Sequence, residues 1–516
     1  VMKYRFLVAG FFILFSLPLA ATPYFTKLEW LTRDEAYSFS FYYPEQLEQI
    51  YHRNNDQLIW TDMLSRMQFE EQLDLIHWAK ISPLFTQRLK QLSETRQQEA
   101  WFEYDLLATD TLLMYLSYAE LATKEGMGWF FNGHKLEHIL PLPSESALFA
   151  LHVAIGSKTL DHLIYRYTPQ DPAYQQLIYA YRFLRPLSQT PFILYQQRGL
   201  KKVGDKLEDR QTLIQRLALV NIDITTIRND VSWYDNSLVE PVKQFQTLHG
   251  LAPDGIIGPN TLKWLNLSVN ARLGLIALNA ERMRLWPTSS TAIVVNVPNF
   301  ELKYWHAGEA VFQSKVVVGR VTRPTPVMTT RLDSLIVNPT WNVPYKIMVE
   351  DILPIAKRDR QYLARQHIEI LPNWGATQAM DPALIDWENV QPESFPYRLR
   401  QQAGYRNALG LYKFNTPNRR AIFLHDTPSK HLFNYHSRAF SSGCIRVENA
   451  DLFASTLLKK QGLDNEKYAP QSSDVNHAIA LRQRIPVQII YQTTWYDRGQ
   501  IHFRDDIYHL DRVISQ

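Results

Sequence analysis

The chain holds one cysteine, Cys444, in the run Ser441-Ser442-Gly443-Cys444-Ile445-Arg446-Val447. Upstream, His425 closes the apolar run Ala421-Ile422-Phe423-Leu424, and fifteen residues separate it from Ser441. A free thiol with a pKa near ~8.5 holds little thiolate at neutral pH, so a nucleophilic cysteine needs a base beside it. Imidazole suits that task. A glycine before the cysteine lets backbone approach a tetrahedral intermediate, where one N–H donor is worth roughly 3–4 kcal/mol. Arg446 suits a two-pronged hydrogen bond to a substrate carboxylate. The chemistry on offer is acyl transfer through a thioester. Cys444 would be the nucleophile and His425 the base, with Gly443, Ser442, Ser441, Arg446 and Phe423 around oxyanion and substrate.

Plainer readings compete. A cysteine after glycine is often a small core residue, and a histidine at a strand end is often only exposed. A zinc site is a third option, since His425, His431, His436 and Cys444 fall within twenty residues. Neither C-x-x-C nor H-E-x-x-H spacing is present, so no metal and no cofactor is expected.

The elements around these residues are legible. Ala421 to Leu424 reads as a strand with His425 at its end, and Asn449 to Leu458 as a helix with Asn449 as cap. Such a helix adds modest positive potential at the sulfur if it points there. From Thr291 the texture is strand and turn: Ala292 to Val297, Glu301 to Trp305, Lys315 to Val318, Leu409 to Phe414 and Val487 to Tyr491. The stretch near 346–404 is charged and helix-prone around Val349 to Gln366. It reads as a helical insertion into a mostly β domain, placed to act as a lid.

The first part of the chain differs. Residues from about 30 to 200 are predicted helical, with apolar spacings of three and four in Glu45 to Trp60 and Asp105 to Ala122. Trp129, Phe130 and Phe131 are expected to pack in a core. Residues 203–270 read as a compact helical module. A helix through Phe245 and Gln246 ends at Gly250 in a left-handed cap, Asp254-Gly255 turns, and Gly258-Pro259-Asn260-Thr261 opens the next helix.

A chain of 516 residues carries about three domains by length alone. The net charge of +4 comes from 55 basic and 51 acidic residues, too balanced for a nucleic-acid binder. One cysteine excludes an intramolecular disulfide. At the N-terminus, Lys3 and Arg5 precede an apolar run from Phe6 to Ala21 with small residues at its end, the layout of a secretory signal. Pro18 and a length short of the ~20 residues of a membrane span argue against an ordinary transmembrane helix, leaving an uncleaved anchor as the alternative.

His, fifteen residues, then Ser-x-Gly-Cys-x-Arg resembles the signature of YkuD-type L,D-transpeptidases. Val316-Val317-Val318-Gly319, Arg323-Pro324-Thr325-Pro326 and Asn338-Pro339-Thr340-Trp341-Asn342-Val343-Pro344 resemble that domain's first half. Pro417-Asn418, His425-Asp426-Thr427-Pro428 and His502-Phe503-Arg504-Asp505-Asp506-Ile507-Tyr508 are similar to its later parts. The module with Phe245, Gln246, Asp254 and Gly255 resembles the peptidoglycan-binding domain of the same proteins, and those four residues are its candidate binding positions. The order of parts is similar to large YcbB-like members from Gram-negative envelopes.

The resemblance implies a multidomain α+β protein: signal peptide or anchor 1–22, helical scaffold 23–202, peptidoglycan-binding module 203–270, linker helix 271–290, and catalytic domain 291–516. It implies a periplasmic enzyme that joins tetrapeptide stems of peptidoglycan into 3-3 cross-links and is open to acylation by carbapenems. L,D-carboxypeptidase activity, ligation of a lipoprotein to peptidoglycan, and a non-catalytic wall-binding scaffold stay open. Ser442 stands where many family members carry His, and Arg446 where many carry Asn. The group that orients His425 is also open. A backbone carbonyl is one candidate. Asp426 is adjacent, but neighbours in a strand face opposite ways.

Overall fold

The computed structural model describes residues 40–131, 133–463 and 474–511, so the expected export segment 1–22 lies outside the described residues. No described helix is long and apolar enough to cross a membrane. The chain divides into two compact units. One takes the described residues of Val1–Asp74 with Leu84–Leu121 and Glu137–Thr168. The other takes Leu75–Pro83, Ala122–Leu136 and the described residues of Pro169–Gln516.

The first unit is helical. It is built from α1 (Pro44–Arg53), most of α2 (Met63–Trp78) and α3 (Pro83–Gln97), the first two-thirds of α4 (Trp101–Phe131), α5 (Glu145–Ser157) and α6 (Leu160–Arg166). Two buried aspartates of α4 organise it. Asp105 accepts from the backbone N–H groups of Ile59 (3.0 Å) and Trp60 (2.7 Å) and from the Tyr51 hydroxyl (2.5 Å). Asp110 accepts from the N–H groups of Tyr42 and Tyr43, both at 2.9 Å, and pairs with buried Arg88 at 2.8 Å. Each carboxylate thus satisfies the start of a segment that would otherwise bury bare N–H groups. Burial pushes the Asp105 carboxyl up to about 6.

In the second unit, α7 (Pro172–Leu184) leads to a small module of α8 (Arg210–Ala218), α9 (Val239–Leu248) and α10 (Pro259–Leu265). Gly250 follows α9 at φ +67, the left-handed conformation read from the sequence. The Gln246 side chain ties the Asp254-Gly255 turn to α9. Its oxygen accepts from Gly255 N–H at 2.9 Å, and its amide donates to Asp254 at 2.8 Å and to the Ile256 carbonyl at 3.0 Å. After α11 (Val269–Arg282) the chain becomes β-rich.

The strands are β1 (Ala292–Asn296), β2 (Glu301–His306), β3 (Glu309–Gly319), β4 (Met328–Val337), β5 (Trp341–Asn342), β6 (Ile368–Leu371), β7 (Arg398–Gln401), β8 (Tyr412–Asn415), β9 (Leu424–His425), β10 (Ala439–Ser441), β11 (Ile445–Val447), β12 (His477–Ile490), β13 (Thr494–Asp497) and β14 (Gln500–Phe503). Nine of them form one sheet in the order β10-β3-β11-β9-β8-β4-β12-β1-β2, and a further β2–β3 pairing closes it on itself. Closure removes free edges, which short strands such as β9 and β11 need. One face packs on the helix Ala450–Lys460: Phe453 lies 4.5 Å from Phe414 and 4.9 Å from Phe312, ring centroid to centroid.

The stretch near 346–404 is helical at its start, with α12 (Tyr345–Ile347), a π-helical turn Met348–Ile352, α13 (Leu353–Arg358) and α14 (Tyr362–Arg365). The Ala450–Lys460 helix is therefore α15. The rest of the insertion is a three-stranded sheet, β5-β7-β6, which its charged composition did not disclose. Helices and sheet share a core of their own, including Met348, Leu353, Ile370, Trp387 and Leu399.

Candidate active site

The register of three short strands sets the site. In the parallel pair β9–β11, Leu424 is opposite Ile445 and His425 opposite Arg446. In the antiparallel pair β8–β9, Lys413 is opposite His425 and Phe414 opposite Leu424. Opposed residues in a sheet send their side chains to the same face, and neighbours along a strand alternate. Leu424, Ile445 and Phe414 therefore enter the buried core, while Lys413, His425 and Arg446 stand on the other face. Cys444 stands one residue before β11, and the charges of Lys413 and Arg446 act on its sulfur.

The imidazole of His425 is 4% exposed. Its Nδ1 lies 2.5 Å from the backbone carbonyl oxygen of Asp426. A carbonyl only accepts, so Nδ1 carries the proton and Nε2 keeps its lone pair. The backbone thus takes the orienting role. The Asp426 carboxylate does not, because it is opposed in the strand and used elsewhere: it accepts from Lys430 Nζ at 2.5 Å and from Leu411 N–H at 3.0 Å. Burial first, then the nearby Arg446 and Lys413 charges, lower the His425 pKa to about 3 against the pull of its backbone hydrogen bond.

Cys444 is half-buried. Burial raises its pKa, opposed by a backbone hydrogen bond at Phe423 and by the charges of Lys413 and Arg446. The Sγ–H donates to the Ala421 carbonyl at 3.6 Å, not to His425. Ala421 itself is held at φ +53, in a region alanine seldom enters. Helix α15 starts beyond β11, six residues after Cys444. Asn449 sits at the helix start as expected, yet its side chain makes no cap bond.

The Ser441–Cys444 loop is braced from several sides. Ser441 Oγ donates to the Cys444 carbonyl at 2.6 Å and accepts from Gly443 N–H at 3.1 Å. The Gly443 N–H is therefore consumed inside the loop, which corrects its expected place in the oxyanion hole. Among the described residues no acceptor takes the N–H of Ser442 or Cys444. Gly443 adopts φ +120, where a side chain is strained. Its carbonyl accepts from Thr325 Oγ1 at 2.7 Å. Thr325 N–H donates to the Tyr508 hydroxyl at 3.2 Å, and that hydroxyl donates to the Gly319 carbonyl at 2.5 Å. Ser442 Oγ accepts from Arg323 at 3.0 Å. Arg323 also pairs with Asp351 at 2.5 Å and with Glu350, both on the π-helical turn of the insertion.

Phe423 lies beside the imidazole, ring centroids 5.8 Å apart. Lys413 is the site residue that sequence reasoning missed. Its ammonium lies 4.3 Å from the Phe423 ring centroid. A lysine set between Tyr412 and Phe414, on the strand face opposite the core, was the available signal.

In the module, the structure revises the candidate binding positions. Phe245 is fully buried and stacks on His249 at 3.9 Å, and Gln246 is 2% exposed. Gly255 is buried and only Asp254 is exposed. Phe245, Gln246 and Gly255 build the module instead of facing a polymer. A cleft of about 760 Å³ runs from Gln246, Gly250, Asp254 and Asn260 to Asn299, Arg438 and Arg504. Arg504 closes its base, bonding the Leu248 carbonyl at 3.0 Å and Asn299 at 2.8 Å.

Comparison with known proteins agrees with this anatomy. Residues 290–460 match the YkuD family model, an L,D-transpeptidase catalytic domain. Residues 206–265 match a "Putative peptidoglycan binding domain", and 45–180 match a scaffold domain. A curated Haemophilus influenzae protein named "Putative L,D-transpeptidase" is 44% identical over 241 residues. The match takes in 46% of this chain and 48% of the relative, so the chain spans about half the length of that protein. An L,D-transpeptidase structure from Stackebrandtia nassauensis is 13% identical, over 58% of this chain and 96% of that one, with a TM-score of 0.22. An LD transpeptidase solved in complex with imipenem is 10% identical, over 39% of this chain and 59% of that one, with a TM-score of 0.20. At such scores the structural likeness carries no weight. The family matches and the sequence relative do: residues 290–460 are similar to YkuD-type L,D-transpeptidase catalytic domains and residues 206–265 to peptidoglycan-binding domains.

Proposed function

We propose that the protein is a cell-wall L,D-transpeptidase acting through a thioester on Cys444. The observation that carries the reading is the shared sheet face of Cys444 and a buried, neutral His425 whose Nδ1 is fixed by the Asp426 carbonyl, within a domain of that family. In the resting state the thiol proton points to Ala421. Rotation about the Cys444 side chain turns it toward Nε2, in keeping with catalytic hydrogen bonds that form only with substrate bound. His425 then takes the proton, and sulfur attacks the carbonyl of the third residue of a tetrapeptide stem. The C–N bond to the terminal residue breaks, and His425 returns the proton to the leaving amine. The N–H groups of Ser442 and Cys444 receive the oxyanion. An amine of a second stem then attacks the thioester, giving a 3-3 cross-link and freeing the thiol.

The insertion, tied through Arg323 to the loop beside Cys444, serves as a cover that favours an amine over water. The wall-binding module brings the polymer to the domain. The location that fits this chemistry is the periplasm, as the N-terminal segment suggests. Acylation by a carbapenem follows the same path. The test is incubation with defined tetrapeptide muropeptides and product analysis by mass. Cross-linked dimers from the parent protein and none from Cys444→Ala support the reading. Tripeptide alone points to an L,D-carboxypeptidase, and no product points to a binding scaffold.

A further inference from the structure

Lys413 is an ammonium on the site face with no carboxylate partner among the described residues. The nearest acid acting on it is Asp333, whose Oδ1 instead accepts from the Ser334 hydroxyl at 2.7 Å and the Asn415 amide at 3.1 Å. Arg446 is in the same position: its Nε is buried without a hydrogen-bond partner. Two cations therefore flank one sulfur, while the facing imidazole is neutral. A buried cation is disfavoured unless an anion meets it. The Phe423 ring offsets part of that cost for Lys413. The thiolate, when formed, supplies one negative charge. One positive charge is left over, and it awaits an anion that arrives with the substrate.

We propose that Lys413, beside Arg446, forms a carboxylate subsite that takes the free C-terminal carboxylate of the residue expelled from the donor peptide. This rests on the acyl-transfer reading given above. In that reaction the terminal carboxylate is held three bonds from the attacked carbon. It is thus forced to lie next to the sulfur, where the two cations are. Carboxylates elsewhere in the peptide are not so constrained. The subsite would select chains ending at the residue to be removed and reject longer or capped ones. It also strips no charge from Cys444, since the sulfur and the carboxylate each meet one cation.

The experiment compares two donors on the full chain: a tetrapeptide stem with a free C-terminus and the same stem as its C-terminal amide. Thioester formation is followed by intact mass for the parent protein, Lys413→Met and Lys413→Arg. The acid-to-amide ratio of rates cancels any change in thiolate population, because both donors need the same thiolate. The parent protein is expected to prefer the acid by at least ~10-fold. Lys413→Met should bring that ratio near unity, and Lys413→Arg should keep most of it. Equal loss on both donors, or a parent protein indifferent to the carboxylate, overturns the subsite while leaving the transpeptidase reading intact. A parent protein acylated by neither donor overturns both. A Lys413→Met sample that fails to fold leaves the parent ratio and Lys413→Arg to decide: Lys413→Arg with the preference intact supports the subsite, and its loss there counts against it.

Discussion

His425 and Arg446 are register partners across the parallel strands β9 and β11, so the base and the guanidinium leave the sheet on one face, with Cys444 one residue before β11. Burial does most to keep the imidazole neutral, and this relationship adds to it. A permanent cation beside a buried imidazole opposes a second positive charge.

The first consequence is a pH profile without a histidine limb. The proposed reaction needs neutral His425, and its pKa of about 3 keeps it neutral at every pH where the protein is assayed. The thiol pKa is raised, so alkylation of Cys444 by iodoacetamide should climb steadily from pH 6 to pH 9. An inflection near the ordinary imidazole value of about 6.5 would show that the histidine is not held as described.

Acid should weaken the fold. His425 and His249 are buried and neutral, and His502 is lowered to about 4. Above pH 6.5 neither folded nor unfolded forms of these rings bind a proton. Below it the unfolded chain binds protons that the folded one refuses, so stability falls as pH falls. At pH 5 each fully buried ring costs about 2 kcal/mol relative to pH 7. Urea midpoints at the two pH values measure this, and His249→Asn or His425→Asn should each flatten the difference.

Arg323 should hold the start of the insertion. Its partners Asp351 and Glu350 are 36% and 48% exposed, so each pair contributes about 1 kcal/mol or less and weakens in salt. Arg323→Met is expected to speed amide exchange over 345–358 severalfold, with α7 unchanged. Unaltered exchange there would remove Arg323 as the tie.

Gly319→Ala should be destabilising by several kcal/mol. An added Cβ would lie 2.2 Å from the Arg323 carbonyl oxygen and 2.6 Å from Thr325 N, both backbone atoms that cannot step aside cheaply. The cost of forced overpacking, about 1–3 kcal/mol or more, is compounded by disturbing the Thr325 and Tyr508 bonds that brace Gly443. Thermal unfolding of the variant, with its Cys444 alkylation rate, reads both effects.

Much of this architecture was legible before any coordinates. The runs Ala292 to Val297 and Glu301 to Trp305, rich in Val, Ile and aromatics and parted by Pro298 and Asn299, marked β1 and β2. Gly250 marked the end of α9 because its φ suits few other residues. The orienting group for His425 was open between a backbone carbonyl and Asp426, and the structure gives the role to the Asp426 carbonyl. Other features were hidden for physical reasons. Ala421 to Leu424 reads as a strand, but only Leu424 and His425 pair, because Ala421 takes positive φ to present its carbonyl to the thiol. Phe245 and Gln246 are typical of wall-binding modules, yet motif residues can serve the core, and their burial shows that they do. Lys413 was missed because its partners, His425 and Phe423, come from a strand ten residues downstream, and register is not written in composition. The sheet β5-β7-β6 joins segments about thirty and about sixty residues apart, beyond any local pattern.

The most direct measurement is intact mass after incubation with a tetrapeptide stem, at short times and with acid quench. The account predicts an adduct of the stem less its terminal residue, on Cys444 alone, absent in Cys444→Ser. In His425→Ala its formation should be slowed about 100- to 10,000-fold. An adduct that forms at the parental rate without His425, or that appears on any residue other than Cys444, would contradict it.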